Sequence, residues 1–360
     1  MSRPLYADIN LQALQHNYHL AQQCAPNAKA IAIVKADAYG HGAVQVAQAL
    51  VNDAPAFGVA TIEEALTLRE ASIQTPILLL EGFFESSEIE LLHEHQLWCS
   101  LHSEWQLQML EACDQEGNLT LWLKVDSGMH RLGFCPDDAL AQVIERLKGL
   151  KAVGQLGLMT HFARADEADN PYTSRQIELM KALAAQYQLP LCIANSPATM
   201  QFPEAQGDWV RPGIMLYGAS PLPTGHPVGD QLQTVMTLRS KLISVRELPA
   251  GEPIGYGGRF VTPQTPTRIG VVAAGYGDGY PRHAVDGTPV LVNGQRVPLA
   301  GRVSMDMLTV DLSDQPNAQP GDDVVLWGEG LDINEVAAAC DTISYTLMTG
   351  LLPRVPRRYR

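Results

Sequence analysis

A (β/α)8 barrel of the TIM type followed by a mostly antiparallel β domain is the fold that this 360-residue sequence predicts. Three observations carry the prediction. From Ala30 onward, apolar runs of strand length alternate about eight times with stretches of helical spacing. No G-x-G-x-x-G follows the first run, so an open, doubly wound dinucleotide sheet has little support. Near Gln231 the texture changes to alternating strands and turns. The expected units are residues 1–230 for the barrel and 231–360 for the β domain.

In chain order, Ile9 to Cys24 reads as an amphipathic helix, with Leu11, Leu14, Tyr18 and Ala21 on one face. Ala30–Val34 is a buried strand that ends on Lys35 instead of a turn residue, and Ala43 to Leu50 is helical. Ala56–Ala60 is the next strand, and Thr61 with Glu64 three residues on makes a capping box for the helix that follows. Pro76–Gly82, Leu97–Leu101, Leu119–Val125, Ala152–Met159 and Leu191–Ala194 are further strands. The helices between them run from Ser86 to Gln96, Ser103 to Cys113, Asp137 to Lys148 and Tyr172 to Gln188. Asn195-Ser196-Pro197 looks like the start of a short helix, and Trp209–Ile214 is a last strand and turn. In the second unit Thr234 to Glu247, Arg268 to Ala274, Met307 to Leu312 and Asp323 to Trp327 are strands. Val290–Val297 is a hairpin about Asn293-Gly294, and Ile333 to Cys340 is a helix.

Composition bounds the function. The chain is 46% hydrophobic and 18% charged, an ordinary globular balance, and a net charge of -14 argues against nucleic acid or an anionic membrane as partner. No apolar run spans a bilayer and the N-terminal stretch lacks the apolar segment of a secretory leader, so a soluble cytoplasmic protein is expected. The six cysteines form no C-x-x-C pair and read as reduced thiols. No metal site is expected. The basic end, Arg354–Arg360, reads as a solvated tail.

Barrel chemistry sits at the C-terminal ends of the strands, with phosphate favoured by the loops after the seventh and eighth. Those loops carry Asn195-Ser196 and Arg211-Pro212-Gly213-Ile214: a hydroxyl, a glycine and a helix N-terminus suited to a dianion. Lys35 on the first strand is a solvated end, a phosphate contact or an amine for Schiff-base chemistry. Lys124 and Arg131 fall near the fifth strand, and His161, which alone would read as a structural histidine, near the sixth. Lys124 lies in an apolar run, where a charge needs a partner or a chemical modification.

Val34-Lys35-Ala36-Asp37-Ala38-Tyr39-Gly40-His41-Gly42 resembles the cofactor-lysine signature of the pyridoxal-phosphate-dependent alanine racemases. The resemblance continues, in order, through Lys124–Gly133, Asn195-Ser196, Arg211-Pro212-Gly213, Gly255–Gly258 and Gly301–Asp306. It implies that Lys35 holds pyridoxal 5'-phosphate and is the base on one face of the substrate. Tyr256, from the second chain of a homodimer with shared active sites, is the base on the other. Tyr39, Ser196, Gly213, Ile214 and Tyr345 would bind the phosphate, Asn195 would also contact the cofactor, and Arg211 would meet the pyridine nitrogen with His161 beside it. Arg131 and Met305 would bind substrate, Met305 also from the other chain. Lys124 matches a lysine that many relatives carry as a carbamate, which would position Arg131.

The implied reaction interconverts L-alanine and D-alanine by two bases, whether for peptidoglycan or for alanine catabolism. A free phenol titrates near ~10 and a free amine near ~10.4, so both bases need tuning. Cations such as Arg211 and His161 would help ionise Tyr256, and desolvation would lower Lys35. Arginine at the ring nitrogen would leave that nitrogen unprotonated, which favours inversion over transamination. Decarboxylases of basic amino acids share the plan but usually place an acid there. A non-catalytic cofactor carrier would lack the β domain.

Overall fold

The computed structural model describes residues 3–113 and 116–360. Met1 and Ser2, the start of the N-terminal stretch expected to lack a leader, lie outside them. Eight parallel strands close the barrel: Lys29–Ile33, Ala56–Val59, Ile77–Leu79, Leu97–Leu101, Leu119–Lys124, Val153–Met159, Leu191–Cys192 and Trp209–Val210. Ring closure comes from the first and last, with Lys29 opposite Trp209 and Ala30 opposite Val210. The strands are short, and helices such as Leu11–Cys24, Ala139–Gly149 and Pro171–Tyr187 pack their apolar faces around them. Asn10 and Asn170 start two of these helices, each side-chain oxygen accepting an otherwise unpaired first-turn N–H.

The β domain is built on one long strand, Met236–Leu248. Its first half pairs with Tyr6–Ile9 and Asp323–Trp327, and its second half, past a shift of register between Leu242 and Ser244, with Thr267–Val272. The predicted hairpin forms as Pro289–Val292 and Gln295–Pro298, with Asn293 and Gly294 at φ of 49° and 77°. Two positive φ values are what a tight hairpin turn needs to match strand twist, and Asn-Gly supplies them at low cost. Buried Trp327 and Tyr280 stack 6.0 Å apart at the base of this sheet.

Three expectations change. The basic end is not a solvated tail: Arg357–Tyr359 is a strand, parallel to Tyr6–Ile9. Arg357 donates to the carbonyls of Gly40, Leu351, Leu352 and Val355, and Arg360 pairs with Asp8. A run of four arginines reads as a tail only until the carbonyls and carboxylates that match it are brought in from elsewhere. Secondly, residues 6–9, placed with the barrel by sequence, are hydrogen-bonded into the β-domain sheet. The chain therefore starts in one unit, crosses to the other and returns. Thirdly, the helix Ile62–Glu70 starts at Thr61, but no capping box forms. The Glu64 carboxylate instead accepts from the Ala60 and Ala36 N–H groups at 2.7 and 2.6 Å. Two strand-end donors left over by the barrel outcompete the single cap donor.

Among the described residues, no helix is long and apolar enough to cross a membrane. No cluster of three or more His, Cys, Asp or Glu side chains is placed to hold a metal ion among them.

Candidate active site

The first barrel strand leads directly into an uncommon backbone. Ala36, Asp37, Ala38 and Tyr39 all have φ of 52–54° and ψ of 40–53°, a turn of left-handed helix with no glycine in it. Each such residue costs roughly 1–2 kcal/mol against the right-handed alternative, so the turn persists only because its surroundings hold it. Its effect is to present the Lys35 amine and the Tyr39 phenol to the same cavity.

That cavity, of about 780 Å³, lies at the C-terminal ends of the barrel strands. Lys35, Tyr39, Lys124, Arg131, His161, Asn195, Ser196, Arg211, Gly213, Ile214 and Tyr345 all line it. Eleven of the thirteen residues singled out from sequence are thus brought together; Tyr256 and Met305 are not. These two are 67% and 53% exposed. They ride on neighbouring loops: the Gly255–Gly258 turn lies against Arg302, two and three residues before Ser304 and Met305. Gly277 N–H and Arg354 bond the Met305 carbonyl, while buried Asp278 is paired with Arg3 and Arg354.

One wall is a cradle for a dianion. Ser196 Oγ accepts from the Gly213 and Met215 N–H groups at 2.8 and 3.3 Å, which leaves its proton to donate outward. A Cβ on Gly213 would lie 2.7 Å from the Tyr39 hydroxyl, so only glycine keeps that space open. The Tyr39 and Tyr345 rings face each other at 5.8 Å. Burial raises the Tyr39 phenol well above its usual range and, with Asp166 near, pushes Tyr345 up to about 12, so both remain neutral donors. The helix Ser196–Gln201 is short, and Asn195 already caps it by accepting the Ala198 N–H at 3.2 Å. Its end adds less to the cradle than the sequence suggested.

The opposite wall is cationic. Arg211, 5% exposed, donates to the carbonyls of Cys192 and Thr160 at 2.5 and 2.6 Å and touches Cys192 Sγ at 3.1 Å. Burial, then Arg211 and Arg131, lower Lys124 to about 8. His161 is lowered to about 3 by burial and then by Arg211, Arg131, Lys124 and Lys35. It is therefore a neutral imidazole at ordinary pH, and the expectation of His161 as a cation helping to ionise a phenol does not hold. Sequence reasoning passed over Glu81, Asp166 and Asn334, which also line the cavity. Glu81 carried the same signal as Lys35, a charge closing an apolar strand. Asn334 had none, because its helix comes from the β domain.

A barrel that opens onto such a cavity, closed on one side by helices of a second domain, is the plan of a two-domain barrel enzyme for a small anionic ligand. The family model described as alanine racemase, N-terminal domain, matches residues 9–221, and that described as alanine racemase, C-terminal domain, matches 235–359. The chain is 60% identical over 360 residues to an alanine racemase of Chromohalobacter salexigens, covering 100% of this chain and 99% of that one. It is 53% identical over 357 residues to a catabolic alanine racemase of Pseudomonas aeruginosa, covering 99% of each. The crystal structure of the biosynthetic alanine racemase from Pseudomonas aeruginosa superposes with a TM-score of 0.95 at 48% identity, covering 99% of each chain. The chain belongs to the alanine racemase family, and the activity class is that of an isomerase.

Proposed function

We propose that the protein interconverts L-alanine and D-alanine with pyridoxal 5'-phosphate bound in the strand-end cavity, as a homodimer whose active sites each draw on both chains. The observation that carries the reading is the convergence of Lys35, Tyr39, Ser196, Arg211, Gly213, Ile214 and Tyr345 on one cavity. The donor set fits the cofactor: neutral phenols, a hydroxyl with a free proton and a glycine-kept space for a phosphate ester, an amine for an aldehyde and a guanidinium for a ring nitrogen. Bound there, the cofactor would withdraw electrons and acidify the substrate Cα–H bond.

The chain's own groups do the rest. Lys35 Nζ takes or returns the proton on one face of Cα, and Tyr256 Oη of a second copy does so on the other. The exposure of Tyr256 and Met305, and their distance from their own chain's cavity, supports this exchange between chains, with residues 231–360 as the donating unit. Arg131 binds the substrate carboxylate, which fixes Cα between the two bases. Arg211 would meet the ring nitrogen with His161 beside it, and Asn195 caps the short helix that begins at Ser196. Lys124, an amine lowered to about 8 by burial and by Arg211 and Arg131, would add to CO2 as a carbamate, giving up one proton to solvent, and would then face Arg131 as an anion.

The test is optical rotation of L-alanine with purified protein and added pyridoxal 5'-phosphate, run beside L-serine, L-lysine and L-arginine. Alanine racemised fastest is expected. Uptake of cofactor with no turnover on any of the four would instead make the chain a carrier.

A further inference from the structure

The left-handed turn between Lys35 and Tyr39 is gripped at both ends by side chains that touch neither the cavity nor each other. At its start, Glu64 Oε1 accepts the Ala36 N–H at 2.6 Å while Oε2 holds the Ala60 N–H of the second barrel strand's end at 2.7 Å. At its far end, His41 Nδ1 faces two carbonyls, Ala38 at 3.0 Å and Tyr39 at 2.9 Å. Facing only acceptors, Nδ1 carries the proton. Nε2 is buried with no partner among the described residues, so the imidazole is held for its other nitrogen.

The His41 ring also packs on Tyr217, centroids 4.6 Å apart, and Tyr39 stacks on the same Tyr217 ring at 4.7 Å. Tyr217 is itself fixed by its hydroxyl on the Ile33 carbonyl at 2.7 Å. A shift of His41 is thus passed through Tyr217 to Tyr39.

We propose that Glu64 and His41 are positioning residues of the cofactor site, which together hold the turn of residues 36–39 left-handed and so set where the Lys35 amine stands relative to the Tyr39 hydroxyl. The inference rests on the reading of Lys35 and Tyr39 as the two cofactor anchors. A right-handed turn over the same four residues would send the Tyr39 ring to a different side of the chain, because the hand of the turn decides the direction of each Cα–Cβ bond. The groups that hold the strain are the protein's own: the Glu64 carboxylate at one end of the turn and the His41 imidazole at the other.

Two measurements test this. The first needs no variant: amide hydrogen exchange of residues 36–39 in cofactor-free wild type. Protection of the Ala36 and Ala38 amides at least about a hundredfold over an open loop is expected. Exchange at open-loop rates overturns the proposal. The second is the dissociation constant of pyridoxal 5'-phosphate, by equilibrium dialysis, for Glu64→Gln, Glu64→Ala, His41→Phe and His41→Asn. Each lost hydrogen bond to the turn should weaken cofactor binding about tenfold, with the KM for L-alanine at saturating cofactor changing less. His41→Asn, which keeps an N–H donor, should recover part of what His41→Phe loses. Binding within twofold of wild type in both Glu64→Ala and His41→Phe overturns the proposal. Failure of wild type itself to bind the cofactor would instead remove the reading of Lys35 and Tyr39, and the exchange experiment would still report on the turn.

Discussion

Arg211 donates through Nη2 to the carbonyl oxygen of Thr160 at 2.6 Å, and no carboxylate pairs with it among the described residues. Its other contacts are the carbonyls of Cys192 and Ile193 and the Cys192 sulfur. A buried guanidinium is therefore fixed by carbonyl dipoles at the ends of the sixth and seventh barrel strands. Both Nη groups are spent on these acceptors and none of the bonds uses Nε–H, so Arg211→Lys should lower kcat/KM by at least about 100-fold, since one ammonium cannot reach both carbonyls. Arg211→Ala should cost roughly 2–5 kcal/mol in urea unfolding, because two buried acceptors lose their donor. Wild-type turnover in Arg211→Lys would refute the assignment.

Tyr256 is 67% exposed, so Tyr256→Phe should leave stability within about 0.5 kcal/mol of wild type. Proton exchange at Cα of L-alanine should nevertheless fall by about 100-fold or more. Mixing Tyr256→Phe with Lys35→Ala subunits tests the shared site directly. Random pairing of two inactive chains restores one intact site in each hybrid dimer, or about a quarter of full activity. No recovery after verified subunit exchange would place both bases in one chain or neither.

Lys124, lowered to about 8, has about a tenth of its amine neutral at pH 7, where an ordinary lysine has less than a thousandth. Only the neutral amine attacks CO2. Equilibration with 13C-bicarbonate should therefore yield a carbamate resonance that strengthens from pH 6 to pH 8 and is missing from Lys124→Gln. Identical spectra for the two proteins would remove the carbamate.

His41 gives a pH dependence of stability with a definite sign. Burial lowers it from 6.5 to about 4, so between those values the unfolded chain binds a proton that the folded chain refuses. Stability contributed by this group is complete above pH 6.5 and is lost as the pH falls towards 4, by about 3 kcal/mol in all. Denaturant unfolding of the cofactor-free protein at pH 7 and pH 5 should show part of that loss. His41→Phe should show less of it, and an equal slope in both proteins would mean that other groups carry the effect.

Much of the site was legible because its signals are local. Lys35 closes an apolar run with a charge, a signal that Glu81 shares but that was not read there, and Ser196, Arg211 and Gly213 fall in the loops after the seventh and eighth strands, where barrels bind anions. The eight-fold alternation and the Asn293-Gly294 turn needed no more than periodicity and turn chemistry. Glu64 shows the limit. Its spacing from Thr61 spells a capping box, yet in the fold it bonds Ala36, 28 residues earlier in the chain.

The amino-acid sequence alone determined the barrel, the appended β domain and the strand-end groups Lys35, Lys124, Ser196 and Arg211, because strand period, turn residues and strand-end charges act over a few residues, and its motifs carried the family resemblance. Only the tertiary structure decided the hand of the turn after Lys35, the recruitment of Tyr345 opposite Tyr39 and the docking of Arg357 on Gly40. It also decided that Tyr256 and Met305 stand away from their own chain's cavity. Each of these depends on which distant donor, acceptor or ring arrives alongside, and a left-handed turn of four ordinary residues is stable only once those partners are in place.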